Sequence, residues 1–553
     1  MKKWIVYPKK ASDIVDQLLI NRGIKNKNQF LNPHFERDLL DPFQISGMTK
    51  AIARIQQAIQ TKEKIGIFAD YDADGIPGAA LLYNALTNLG LEIFTYIPYR
   101  TEGYGLNKKG ILELKEKGCK LLITIDLGIT NKNEVKFAKK HGLDVIVTDH
   151  HEIKKTHFPE NADVVLHTHL GKKYANKDLA GGALAFKILQ ALSLKYGKPT
   201  EKELKWFLDL PAISTICDIV PLTGENRVIA KYGLIVLAKT KNQGLKELYK
   251  IASIDSSTID TYKVGFLIGP RINAPSRMKY GKYSYDLLIQ KNPDKITSLA
   301  KKINEINIER QKTLQEIVAE SKSIVQKEKL YKHKIIIVRN EKWPLGLLGL
   351  IASKIADEFT RPAIALNKED DTFRGSVRSI EGINIMEILR KVEVDLKSYG
   401  GHAQAAGVSI EQKNYHKFEK KIITLCDSEI DASKLIKIIK IDCELNLSDI
   451  NFRLLNYIKD FEPFGLGNPK PVFLVKNILI HDIKWLGKEK NHLKLKIKSQ
   501  KSNKIIDCIM FNCLEFISDI QIGDCIDLVF SLEDNVWNGN HNLQLKIVDL
   551  RKI

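Results

Sequence analysis

Four apolar runs of strand length set the frame for this chain: IGIFAD (65–70), LEIFTYI (91–97), LLITID (121–126) and DVIVTD (144–149). Intervals of helix length, such as NKNEVKFAKKHG, separate them, so residues 60–220 read as an α/β unit. Strands that are apolar at nearly every position have both faces covered, as in a parallel sheet between helices. Three of the four runs end in aspartate.

In an open parallel sheet, ligands collect beyond the carboxyl ends of the strands. There the sequence places Asp70, Asp72 and Asp74 after the first run, Asp126 after the third, and Asp149, His150 and His151 after the fourth. Asp218 ends a further apolar stretch, PAISTIC, before IVPL, and reads as a fourth acidic strand end. A lone aspartate at a strand-to-helix turn is an ordinary N-cap. Four acidic ends converging on one edge would repel strongly unless cations lay among them. Carboxylates with imidazoles, and no cysteine motif beside them, form a ligand set for Mn²⁺ or Mg²⁺ rather than for a soft metal. The expectation is two ions about 4 Å apart, activating a water and stabilising the leaving oxygen of a phosphoester. Gly75 and Gly78 are expected to allow a tight turn into the next helix.

At 553 residues the chain exceeds one core, and three or four domains are expected. After Pro293, apolar residues recur at helical spacing for about three dozen residues without Gly or Pro, which predicts one long connecting helix. A second mixed α/β unit runs from IIIV at 335 to about 430. HLKLKIK (492–498) and NLQLKIV (542–548) alternate as half-buried strands do, and WNGN (537–540) reads as a hairpin turn, so a small β-barrel is expected at the end. Taken singly, Phe473, Phe511 and Trp537 read as core rather than as base-stacking platforms.

A net charge of +20 points to a polyanionic partner, but only 15 of the 86 basic residues are arginine. A coding bias toward lysine accounts for the charge equally well, so the positions of the arginines carry more information than the total. Seven cysteines without a CxxC pair give neither a disulfide framework nor a zinc ribbon, and fit a reducing cytoplasm. No run approaches the roughly 18 apolar residues of a membrane span. The absence of a GxxxxGK[ST] loop excludes a P-loop motor.

DYDADG (70–75), ITIDLG (123–128), VTDHHE (147–152) and TICDIVPL (215–222) resemble, in order and spacing, the four motifs of the DHH phosphoesterase superfamily, most closely its RecJ-type single-strand-specific exonucleases. The likeness continues through RTEGYGLN (100–107), GPRINAPSR (269–277), GSVRSIEGIN (375–384), GGHAQAAG (400–407) and PFGLGNPKPVF (463–473). The resemblance implies an α/β protein: a parallel-sheet DHH catalytic domain (61–285) with an N-terminal segment (1–60) packed on it, a long linking helix (286–330), a smaller α/β DHH-associated domain (331–432) and a C-terminal OB-fold β-barrel (433–553). The implied activity is 5′→3′ hydrolysis of single-stranded DNA to 5′-mononucleotides with Mn²⁺ or Mg²⁺, in repair and recombination. A cytoplasmic monomer is expected, working with a helicase and a single-strand-binding protein and with no membrane.

Carried over position by position, the resemblance assigns one ion to Asp74, Asp126, His150 and Asp218, and the other to Asp70 or Asp72 with Asp126 bridging. It places His151 at the scissile phosphate, and His402, beside Gly401, as a phosphate donor. The scarce arginines Arg100, Arg271, Arg277, Arg374 and Arg378 fall within or beside the matching blocks, where a two-pronged donor suits a phosphate; Asn273 and Ser376 join them as substrate contacts. Arg271 also counts among the expected catalytic groups. Three positions depart from the family pattern: Leu127 stands where Asn is usual, Pro344 replaces the His after Trp343, and Pro275-Ser276 replaces Ala-Gly, stiffening what reads as a substrate loop. Two rival readings remain: a DHH phosphatase or oligoribonuclease acting on short substrates, and a catalytically inactive strand-binding scaffold.

Overall fold

A computed structural model describes residues 2–487, 489–499, 504–511, 513, 520–537 and 539–553, with only the backbone of Trp537. The chain forms two compact units: Leu40–Val220 with Tyr232–Lys437, and Met1–Leu39 with Pro221–Lys231 and Ile438–Ile553. The first strand, β1 (Lys3–Val6), belongs to the second of these, as does helix α1 (Ile14–Asn21).

The larger unit begins with a parallel sheet of β2 (Ile65–Ala69), β3 (Ile93–Tyr96), β4 (Leu121–Ile125), β5 (Asp144–Thr148) and β6 (Val164–Leu166). Its order is β3-β2-β4-β5-β6, so the chain steps outward from β2 to β3 and then returns past β2 to β4. The direction of winding reverses between β2 and β4, and a crevice opens at their carboxyl ends. Every residue of β2 and β4 is buried, which is why both read as unbroken apolar runs. The three-residue β6 was not among the expected strands.

Four helices position the site: α2 (Gly75–Asn88), α3 (Gly181–Tyr196), α4 (Asp209–Cys217) and α5 (Gly269–Met278). PAISTIC is part of α4, so Asp218 caps the end of a helix and does not follow a strand. A fully buried apolar segment carries no periodicity that separates the two conformations, and the strand reading is corrected here. GPRINAPSR is likewise helix α5 with Pro275 inside it, rather than a loop. Pro275 has no N–H to give to the carbonyl four residues back, that of Arg271.

Helix α6 (Pro293–Lys327) is capped by Asn292, whose side chain accepts from Lys295 N, and spans roughly 50 Å. Ile296, Ala300, Ile303 and Ile306 form its buried stripe, giving way to Asn307 and Arg310. Beyond it, β7 (Ile336–Arg339), β8 (Ala363–Glu369), β9 (Thr372–Arg378), β10 (Ser398–His402) and β11 (Ala405–Glu411) form a sheet in the order β10-β11-β9-β8-β7, with α7 (Leu348–Phe359) packed against β8 and β9. Only the β7–β8 pair is parallel.

In the smaller unit, β12 (Ile438–Ile441) pairs in parallel with β1, Lys3 opposite Ile438. After β13 (Cys443–Glu444), five strands close a barrel: β14 (Phe473–Leu486), β15 (His492–Ser499), β16 (Ile505–Met510), β17 (Cys525–Trp537) and β18 (Asn540–Lys552). Pairing of β14 with both β15 and β17 makes the closure that an OB fold requires. Val15, Leu18, Leu19 and Phe30 share the barrel core with Phe473 and Phe530. Residues 1–39 therefore cluster with the barrel, through the pairing of β1 and that apolar group. Buried Arg227 donates to the carbonyls of Phe30, Phe461, Pro463, Asp460 and Glu462, tying residues 221–231 into the same unit. Phe473 is core, Phe511 is exposed, and the side chain of Trp537 lies outside the described residues.

Candidate active site

Asp70 follows β2 directly, and the DYDADG turn is braced from within: Asp72 Oδ1 accepts from the N–H of Asp74 (2.9 Å) and of Gly75 (3.1 Å). Asp74 is then held from outside. Its two oxygens accept from Gly181 N (2.6 Å) and Gly182 N (2.7 Å), the first N–H groups of α3, where a helix favours negative charge. A Cβ on Gly182 would meet Ser214 Oγ at 2.1 Å, and one on Gly75 would meet Asp70 O at 2.5 Å. Close approach, rather than the expected tight turn, is thus the reason for glycine at 75; at Gly78 a Cβ would press on Ile125 and Gly182. Asp126 leaves β4 with φ +62°, a conformation costly for any residue with a side chain.

These elements bring the predicted ligands together. His150 Nε2 lies 3.0 Å from Asp126 Oδ1, 3.5 Å from Asp74 Oδ2 and 3.7 Å from Asp218 Oδ2. Ligand atoms of Asp74, His150 and Asp218 fall within 4.8 Å of one another, as do those of Asp70, Asp72 and Asp126, and those of Asp126, His150 and His151. Asp70 Oδ1, Asp126 Oδ1 and His150 Nε2 are buried without a hydrogen-bond partner. Buried polar atoms are normally satisfied, so unmet lone pairs aimed at one place fit a pair of divalent cations.

The electrostatics agree. Burial, and then neighbouring carboxylates, hold Asp70, Asp126 and Asp218 well above the usual carboxylate range, and Asp74 is raised by burial despite His150. Burial lowers His150, favouring the neutral imidazole that a metal needs. His151 behaves oppositely. Burial pulls it down, but the hydrogen bond and charge of Asp149 overcome this and hold it at about 9. Asp149 Oδ1 accepts from His151 Nδ1 at 2.8 Å, and its other oxygen accepts from Ile129 N.

Reasoning from sequence missed this orienting role of Asp149, although VTDHHE contains it. It also missed Gly181 and Gly182, and Tyr104, whose hydroxyl donates to Asp126 O (2.9 Å) and lies 3.0 Å from His151 Nδ1. Only the position of Tyr104, inside RTEGYGLN, could have signalled it. Asn273, expected at the substrate, accepts from Ala73 N through Oδ1 and steadies the aspartate turn.

The arginines divide. Arg277 donates to Gly346 O (3.0 Å); burial first, then Arg100, lowers it to about 10, with Arg310 and Arg378 adding to the effect. Arg100 lies 4.4 Å over the Tyr71 ring with its Nε unpartnered. Arg378 and Ser376 both face the first turn of α7: a Cβ on Gly349 would lie 2.7 Å from Arg378 Nη2 and 3.6 Å from Ser376 Oγ. Arg310, not foreseen, is buried with Nε unpartnered. Arg271 is engaged with Asn304 Oδ1 and Leu267 O. Arg374 is exposed and pairs with Glu369 (3.3 Å), which sets it apart from the group as a surface ion pair. The His402 ring stacks 6.2 Å from that of His151, and Gly401 carries φ +149° with no room for a Cβ against Ala405 O.

The departures are structural. Leu127 is fully buried in an apolar cluster with Phe68 and Val147. Trp343 is buried and donates through Nε1 to Glu320, while Pro344 opens the short turn that follows.

Comparison with known proteins finds the N-terminal domain of the DHH family over residues 64–215, the DHHA1 domain over 332–428 and the RecJ OB domain over 441–549. The single-stranded-DNA-specific exonuclease RecJ of Haemophilus influenzae is 32% identical over 556 residues, covering 97% of this chain and 95% of that protein. The chain belongs to the RecJ family. RecJ of Bacillus subtilis is 36% identical, over 97% of this chain and 67% of the relative. The crystal structure of RecJ with Mn²⁺ from Thermus thermophilus superimposes with a TM-score of 0.85 at 26% identity, covering all of this chain and 80% of that one. RecJ-family membership joins the parallel sheet, the DHHA1 domain and the OB barrel in one architecture.

Proposed function

We propose that this chain is a Mn²⁺- or Mg²⁺-dependent exonuclease that removes 5′-mononucleotides from the 5′ end of single-stranded DNA, serving repair and recombination. The observation that carries the reading is the cage of Asp70, Asp72, Asp74, Asp126, His150 and Asp218, whose buried ligand atoms lack partners. Asp74, Asp126, His150 and Asp218 would hold one ion, and Asp70 and Asp72 the other, with Asp126 shared. Such ions, when bound, supply an activated water and neutralise charge on the phosphate.

The chain's own groups do the rest. His151, held at about 9 by Asp149 in the metal-free chain, presents a donor beside the cage, where negative charge grows on the scissile phosphate. His402 stacks next to it and helps orient the same phosphate. Arg378 and Ser376 meet over the first turn of α7 and, with Arg100 and Arg277, offer donors for a terminal 5′-phosphate. Arg271, held by Asn304, shapes the cationic wall that the phosphates pass. Fixing the terminal phosphate places one linkage, and only one, at the cage, which makes the enzyme an exonuclease releasing mononucleotides.

We assign residues 61–285 to catalysis, 331–432 to phosphate positioning and the OB barrel to strand binding, and take the protein to act as a cytoplasmic monomer alongside a helicase and a single-strand-binding protein. Release of mononucleotides from a 5′-labelled single strand, against duplex DNA and against dinucleotides, with Mn²⁺ or Mg²⁺, tests the reading. Activity confined to dinucleotides, or strand binding without any release, contradicts it.

A further inference from the structure

Among the described residues, Tyr262 and Phe266 are the most exposed Phe, Tyr or Trp side chains, at 61% and 64%. Their rings stack on each other, with centroids 5.0 Å apart at 27°. A single exposed aromatic is ordinary, but two that pair in solvent leave a flat apolar face uncovered. Phe266 lies in a π-helical segment, Lys263–Ile268, which Tyr262 caps and which runs directly into α5. Such segments are rare and recur at functional sites.

The segment that carries them packs against the residue preceding Asp218. Cys217 Sγ, one residue before Asp218, lies 3.9 Å from the carbonyl of Val264, between the two aromatics in sequence. Gly269 allows the close seat, since a Cβ there would meet Cys217 Sγ at 2.3 Å. On the other side of Asp218, Ile219 is 66% exposed and held at φ +58°. An apolar face thus flanks one metal-ligand position, on the order of 10–15 Å away by chain geometry.

The cage and the arginines offer charge, which recognises phosphates and leaves the bases without partners. A single strand differs from a duplex in having unstacked base faces, and those faces bind flat aromatic rings with little sequence preference. We infer that Tyr262 and Phe266 form a base-stacking platform for the single strand at the cage, an assignment that rests on the exonuclease reading above. The platform selects single strands, because bases stacked within a duplex present only their edges.

The test is fluorescence polarisation of the full-length chain in EDTA, so that nothing is cut, with a labelled oligothymidylate of about 15 nucleotides and with a thymidine dinucleotide. The double variant Tyr262→Ala with Phe266→Ala should bind the oligonucleotide about tenfold or more weakly, and lose less on the dinucleotide. Phe266→Leu, which keeps an apolar side chain but no ring, should fall between. Leu194→Ala, at another exposed apolar position, should change nothing. Unaltered affinity for the oligonucleotide, an equal loss on both ligands, or a loss accompanied by a lower melting temperature overturns the platform. A wild-type chain that binds strands through these residues but releases no nucleotide with Mn²⁺ refutes the exonuclease reading and leaves the platform standing. Release with unaltered binding in the double variant does the reverse.

Discussion

His150 Nε2 and Asp126 Oδ1 lie 3.0 Å apart in the interior, and neither has a hydrogen-bond partner. Burial disfavours charge on both groups, so a pair at that distance without a hydrogen bond is placed as ligands to a shared cation rather than as an ion pair. In the proposed assignment the pair marks the point that a cation shares, with Asp126 common to both ions. Asp126→Ala should lower nucleotide release by ~10³-fold or more, while single-strand affinity measured in EDTA stays within about threefold. Equal losses of binding and turnover would make Asp126 a structural residue.

The second prediction concerns metal and pH. Asp70, Asp74, Asp126 and Asp218 are all raised in the fold, so the folded, metal-free chain holds their protons more tightly than the unfolded chain does. The stability this gives is complete below the ordinary carboxylate value of 3.8 and is lost as pH rises through the raised values. Cations replace those protons. The gain in melting temperature on adding Mn²⁺ should therefore grow from roughly pH 5 to pH 8. A gain that is flat across that window would mean the carboxylates are not linked to the ion.

Asp149 and His151 make the third case. Without the Asp149 hydrogen bond and charge, burial is opposed only by the weaker pull of Asp218 and Asp70, so Asp149→Asn should lower its pKa from about 9, readable by NMR titration of the metal-free chain. The sign for stability is fixed: a raised histidine stabilises the fold below 6.5 and loses that contribution as pH climbs through about 9, so the variant should lose most of its stability difference from wild type at alkaline pH. Turnover near neutrality should fall ~10²-fold. Unchanged titration would remove the orienting role of Asp149.

The fourth prediction separates end recognition from chemistry. Arg378→Ala should abolish the preference for a 5′-phosphorylated over a 5′-hydroxyl strand, a change of ~10–100-fold in kcat/KM on the phosphorylated end alone. Arg374→Ala, in a surface ion pair with Glu369, should leave that preference within about twofold. Similar effects from both would show that the two arginines on β9 are not distinguished by their surroundings.

The aspartates after β2 and β4 and the DHH after β5 were legible because a parallel strand buried on both faces writes an apolar run, and the residue at its end is polar by contrast. The same signal misplaced Asp218, since a buried helix writes an apolar run too. What the chain brings from afar was not legible. Gly181 and Gly182 reach Asp74 across more than a hundred residues, and β1 finds β12 across more than four hundred; no local pattern announces either. The division of the arginines was hidden for a related reason. Proximity to a motif does not reveal that Arg374 faces Glu369 while Arg378 faces Gly349 and Ser376.

Anomalous diffraction from crystals soaked in Mn²⁺ tests the central claim most directly. Two peaks about 4 Å apart are predicted, one among Asp74, His150 and Asp218, the other among Asp70 and Asp72, with Asp126 reaching both. No manganese in the cage, or ions bound without Asp126, would contradict the account.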